Sequence, residues 1–299
     1  MRRTSVKTKS PDHPSPVSQS SLPPQVDLLP EVFLNHFYMV LDSPTSKAIE
    51  EDVFLRKHFA VNEKRTTTNA DITYTGRYFY GVHTYFEFFD IADSPQHRIG
   101  DCAIAFGVDQ PGAVRVLQEK LGPSLEPSVL SVTRLYHGKY IPWFYMATLR
   151  NLPYESEMSS WVMEYHPEFL AAWNPQPREA NQGISRRQIL RRYAEVLEPV
   201  DEPRLEDVIG LTVAADAPAT DSLIHFCLRL GYSSAREPDG NVTLQGPDFV
   251  LRLMRATEHV RGIREIKMRT PAVAQGEEEH PLGQSVLKCV GRSAIWSFL

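Results

Sequence analysis

A recurring order of elements constrains this chain more than any other feature. Residues 32–41, VFLNHFYMVL, are rich in aromatic and branched side chains and lie between Pro30 and Asp42-Ser43-Pro44, which is the pattern of a buried strand. Ser43 is placed to cap a following helix with Pro44 at its first position, and Ala48, Ile49, Val53 and Phe54 give that helix an apolar stripe up to about Lys57. Three β-rich segments follow at residues 60–67, 71–80 and 83–89, punctuated by Asn69 and Gly81. The order then returns. Residues 102–108, CAIAFGV, make a short apolar strand, and Asp109-Gln110-Pro111 repeats Asp42-Ser43-Pro44 at an offset of 67 residues. Val114, Val116 and Leu117 begin a helix that stops at Gly122, and three further strands are expected at 129–136, 140–149 and 160–165.

A third copy opens with a strand at 208–214 and a helix at 220–230, capped by Asp221 or Thr220, before strands near 242–245 and 249–254. The segments 262–268, 284–289 and 294–298 also read as strands, without a helix between them, so a fourth copy is degraded. Residues 275–280, with three glutamates, read as a solvated loop. Between the pairs, Ser185 and Gln188 form a capping box for a connecting helix at 186–197. Its Ile189, Leu190, Tyr193 and Leu197 make an apolar face, and Arg186, Arg187, Arg191 and Arg192 make a solvated basic face or a grip for phosphate or carboxylate. The expected fold is α+β, with tandem βαβββ units forming two domains with curved mixed sheets. The boundaries are a disordered leader at 1–28, a first domain at 29–170, a connecting helix region at 171–203 and a second domain at 204–299.

Composition narrows the function classes. A charge of -5 with 23% charged residues leaves no global basic field, which argues against nucleic acid and against an anionic membrane surface. The three cysteines, Cys102, Cys227 and Cys289, are too far apart for a metal knuckle and odd in number, which fits a reducing cytoplasm. No run approaches the ~20 apolar residues of a membrane-spanning helix. The expected partners are a small-molecule substrate and a second copy of the chain. No GxSxG, P-loop or Rossmann glycine pattern occurs.

Tandem βαβββ units, the opening FLNHFYMVLDSP and the segment TYFEFFD resemble the vicinal oxygen chelate superfamily of glyoxalases, bleomycin-resistance proteins and extradiol dioxygenases, in a glyoxalase-like branch. That resemblance implies a U-shaped sheet around a divalent metal, with ligands from the first and last strand of each unit. Carried onto this sequence, it makes His36 and Glu87 ligands from the first unit and Glu164 a ligand from the last strand of the second. The first strand of the second unit departs from the pattern, because CAIAFGV offers only Ala103 or Ala105. His166, on the face shared by Val162 and Glu164, fills the gap, or water or substrate does. A three-ligand set of His36, Glu87 and Glu164 or His166 is the alternative. Either set suits Fe, Mn, Ni, Zn or Co.

Each residue also has a plain structural reading. His36 fits a hydrogen-bonded core histidine, Glu87 fits a partner of Arg77 across the adjacent strand, and Glu164 and His166 fit a loop mouth closed by Pro167. The aromatics on the sheet suit either a core or a pocket for an apolar or aromatic molecule. Tyr38, Tyr85 and Trp143 are the candidate substrate contacts, with Arg77 and Arg134 to hold a substrate carboxylate. The resemblance implies a metal-dependent isomerase or lyase that stabilises an enolate, with Glu164 as the catalytic proton carrier. An Fe(II) dioxygenase in the same cleft and a metal-free small-molecule binding or resistance protein are the alternatives.

Overall fold

The computed structural model describes residues 29–153, 156–169, 185–271 and 276–299. The leader at 1–28 and residues 171–184 of the 171–203 linker lie outside the described residues. The first half runs β1 (Phe33–Leu41), α1 (Ser43–Glu51), β2 (Val61–Thr68), β3 (Thr73–Tyr80) and β4 (Tyr85–Asp90), then β5 (Cys102–Gly107), α2 (Ala113–Lys120), β6 (Leu130–Tyr136), β7 (Lys139–Thr148) and β8 (Met158–Tyr165). After α3 (Arg186–Ala194) come β9 (Asp207–Ala215), α4 (Ala217–Arg229), β10 (Ser233–Arg236), β11 (Val242–Gln245) and β12 (Val250–Arg255). The chain closes with β13 (Gly262–Arg269), β14 (Glu277–Leu282), β15 (Ser285–Val290) and β16 (Ser293–Phe298).

These strands form two eight-stranded sheets, ordered β2-β3-β4-β1-β5-β8-β7-β6 and β10-β11-β12-β9-β13-β16-β15-β14. A crossover helix explains the strand directions. In β1/β4, β5/β8 and β9/β12 the helix after the first strand returns the chain to its starting side, so first and last strands pair parallel. Among the described residues no helix follows β13, and β13 and β16 pair antiparallel.

Several local expectations need correction. Asp42, not Ser43, caps α1 through Thr45 N–H at 2.8 Å, and Asp216, not Thr220 or Asp221, caps α4. The acidic 275–280 segment enters strand β14, where alternate side chains stay exposed and its backbone pairs with β15. After Gly231 the chain forms β10, a short exposed edge strand that the pattern did not predict.

The main core lies between the outer faces of the two sheets. Trp296 of β16 packs edge-on against Phe79, Phe86 and Phe88 of the first sheet, and Phe226 of α4 meets Phe106 of β5. A second apolar cluster fills part of the inner face of the first sheet. That sheet curls until its edge strands β2 and β6 come into contact, and α3 inserts Ile189, Leu190 and Tyr193 into one part of the hollow. Trp143 Nε1 donates to the Tyr193 hydroxyl at 3.0 Å, locking α3 in place. Arg186 at its start is not on a solvated face. It is buried, donates to the Leu34 carbonyl and pairs with Asp109 and Asp248, so it ties β1, α3 and the second sheet together. Among the described residues no helix is long and apolar enough to cross a membrane.

Candidate small-molecule site

The part of the hollow that α3 leaves open is a cavity of about 320 Å³, lined by His36, Tyr38, Tyr74, Tyr85, Glu87, Phe89, Trp143, Phe144, Met146 and Trp161, with residues 69–72, 94, 96–97 and 130–133 completing the wall. Strand geometry places its polar floor. In the parallel β1/β4 pair, His36 lies opposite Tyr85 and Tyr38 opposite Glu87, and alternate residues point to the same side. His36 and Glu87 are therefore diagonal neighbours on the inner face. His36 Nε2 is 3.9 Å from Glu87 Oε1, and both side chains are buried.

The imidazole is held on all sides. Its ring stacks on Tyr85 with centroids 4.4 Å apart and meets the edge of Trp161 at 5.7 Å. Nδ1 lies 2.8 Å from Asn35 Oδ1. An amide oxygen only accepts, so Nδ1 carries the proton and Nε2 presents its lone pair toward Glu87. Asn35 reaches this position because the β1/β5 register shifts between Leu34 and His36, a bulge that gives two successive side chains access to the same interior. Burial pushes the His36 pKa down to about 3, so the ring is neutral at neutral pH. Burial pushes the Glu87 carboxyl up to about 7, against the opposing pull of the Arg65 charge, the Tyr78 and Tyr85 hydroxyls and Arg134.

The other expected ligands are elsewhere. Glu164 sits on the opposite face of β8, where its carboxylate accepts from Gly112 N–H at 2.7 Å and Val114 N–H at 3.1 Å and caps the start of α2. It is thus neither beside His36 nor placed to carry a proton in this cavity. Every residue of β8 is buried, so alternation correctly grouped Val162 with Glu164 but left open which group faces the hollow. Trp161, Met163 and Tyr165 do. His166 follows the strand, half-buried, with Nδ1 accepting from Glu168 N–H at 3.2 Å and its ring 5.0 Å from Tyr145.

Of the candidate substrate contacts, Tyr38, Tyr85 and Trp143 line the cavity. Arg77 does not. It points to the helical side, where it pairs with Glu50 of α1 at 3.4 Å and donates to Asn62. Arg134 is buried with its guanidinium 5.4 Å from the Trp143 ring centre, and it is not among the lining residues. Two contributors were not singled out as site residues in the sequence. Asn35 acts through a bulge that has no sequence signature, and Arg65 is placed by a pairing with Glu63 at 2.7 Å and by packing over Tyr78 at 4.0 Å.

A resident cation would need more donors than this floor supplies. Across the sheet from His36 the same row continues with Ala105 on β5 and Trp161 on β8, a methyl group and an indole with no lone pair for a metal. Among the described residues no three His, Cys, Asp or Glu side chains converge. Two donors do not make up the three- or four-ligand set of a resident Fe or Zn.

Fold and site together define a protein with two curled, back-to-back eight-stranded sheets, one of which encloses an aromatic-walled cleft with a histidine–glutamate floor. The chain belongs to the family of unknown function DUF5829, whose model matches residues 34–298. No curated protein matches it. Its fold is similar to that of a hypothetical protein from Staphylococcus aureus, with a TM-score of 0.52 at 10% identity, covering 86% of this chain and 98% of that one. A xylose isomerase-like TIM barrel/4-hydroxyphenylpyruvate dioxygenase fusion protein matches at a TM-score of 0.41 and 13% identity over 83% of this chain and 37% of that one. A putative dioxygenase from Bacillus subtilis subsp. subtilis str. 168 matches at a TM-score of 0.32 and 13% identity over 87% of this chain and 81% of that one. At those two scores the likeness carries no argument about function.

Proposed function

We propose that this chain is a small-molecule-binding protein built from two glyoxalase-like domains, residues 29–170 and 204–299, in which the first domain's cleft takes an apolar or aromatic ligand without a resident metal. The observation that carries this reading is the His36–Glu87 pair on the floor of an aromatic-walled cavity of about 320 Å³, a size and lining typical of small-ligand sites. The strand orders of both sheets are compatible with the vicinal oxygen chelate architecture. The metal-dependent isomerase, lyase and dioxygenase readings require ligands that Ala105, Trp161 and the helix-capping Glu164 do not provide.

The test combines metal analysis with ligand binding. Inductively coupled plasma analysis of the full chain, beside His36→Ala and Glu87→Ala, is expected to show no stoichiometric transition metal. Binding of small aromatic probes, followed by the fluorescence of Trp143 and Trp161, is expected to be unchanged by chelator. A stoichiometric ion in the wild type that both variants lose refutes the metal-free reading.

A further inference from the structure

We propose that the gap between His36 and Glu87 is a receptor for one neutral hydroxyl group, and that the ligand of this cleft is a hydroxylated aromatic molecule of the phenol class. The proposal rests on the small-molecule reading above and specifies its ligand.

The argument is geometric. At 3.9 Å, His36 Nε2 and Glu87 Oε1 are too far apart to bond each other, and the spacing leaves room for one oxygen at about 2.8 Å from both. Such an atom must donate to Nε2, because Asn35 holds the imidazole proton on the far nitrogen. Its lone pair then accepts from the Glu87 carboxyl, which keeps its own proton up to about pH 7. A hydroxyl does both. The rings of Tyr85 and Trp161 already pack against His36, so a flat apolar body attached to that hydroxyl continues an aromatic stack.

Charge selects against the other ligand classes. Among the described residues, the cavity lining contains no lysine or arginine. A carboxylate or phosphate ligand would therefore lose its hydration without gaining a cation. An ammonium group has donors only, so it cannot accept from the Glu87 acid proton as a hydroxyl does.

The experiment uses the full chain and four probes of one shape, p-cresol, p-xylene, p-toluate and 4-methylbenzylamine, titrated by calorimetry. p-Cresol is expected to bind about tenfold more tightly than p-xylene, in which a methyl replaces the hydroxyl, and more tightly than either charged probe. His36→Phe, which keeps a ring against Tyr85, is expected to abolish the p-cresol preference and leave p-xylene affinity within about twofold. Equal affinity for p-cresol and p-xylene in the wild type overturns the hydroxyl receptor, shows that the gap holds only a bridging water, and leaves the cleft reading intact. Tighter binding of p-toluate or 4-methylbenzylamine overturns it in favour of a charged ligand. Failure of all four to bind overturns the cleft reading as well. Because the wild-type comparison decides between these results, a folding defect in His36→Phe does not remove the test.

Discussion

Replacing Glu87 with glutamine changes the pH dependence of stability in a way fixed by the surroundings of the pair. In the folded chain the Glu87 carboxyl holds its proton up to about pH 7, whereas an exposed glutamate releases it near 4.5. The folded state therefore binds an extra proton between those values. The stability this contributes is complete below pH 4.5 and is lost as the pH rises through 7. At about 1.4 kcal/mol per pH unit the loss amounts to about 3 kcal/mol. His36 has the opposite sign. Its pKa falls from 6.5 to about 3 on burial, so its contribution is present above pH 6.5 and disappears as the pH falls toward 3. Between about pH 4.5 and 6.5 the two effects cancel, because the unfolded chain carries one proton on the imidazole and the folded chain carries one on the carboxyl. Glu87→Gln, neutral throughout and nearly the same shape, removes one side of that balance. Relative to wild type, the variant is expected to gain about 3 kcal/mol between pH 4.5 and 7.5. The assay is urea unfolding of chelator-treated protein at half-unit pH steps, followed by tryptophan fluorescence. A difference independent of pH would show that Glu87 ionises as an exposed glutamate does. A difference that moves against the variant as the pH rises would show that the carboxylate is held ionised, as by a bound cation, and would overturn the account of the site.

Two further substitutions separate the pair from its surroundings. Asn35→Leu removes the acceptor that fixes the imidazole proton on Nδ1. It is expected to cost about 1–2 kcal/mol and to populate the Nε2–H form, read by the nitrogen chemical shifts of His36; an unchanged tautomer would show that Asn35 does not set it. Glu164→Ala leaves the Gly112 and Val114 N–H groups at the start of α2 without their carboxylate and is expected to lower stability by about 2 kcal/mol, while p-cresol affinity stays within about twofold. A large loss of affinity with stability unchanged would return Glu164 to the ligand site.

Much of the site was legible because polar residues interrupt apolar strands. His36 within VFLNHFYMVL and Glu87 within TYFEFFD stand out as costly to bury, and the structure brings them together across β1 and β4. Glu164 stands out for the same reason, but its cost is met by two backbone N–H groups of α2 instead of by a ligand. Arg186 was misjudged because a helical pattern shows an apolar and a charged face without showing that Asp109, Asp248 and the Leu34 carbonyl converge on the charged one.

Local chemistry in the chain determined the order of strands and helices. Apolar runs, proline after an aspartate and glycine at the turns each act over a few residues, so they can be read in place. The tertiary structure decided which way each strand faces. Alternation says which side chains travel together, but β5 and β8 are buried on both sides, and only the packing of the second sheet against the outer face of the first makes one side the hollow and the other the core. That choice placed Trp161 over His36, sent Glu164 to the helix and Arg77 to Glu50, and brought one imidazole and one carboxyl together on the floor of the cleft.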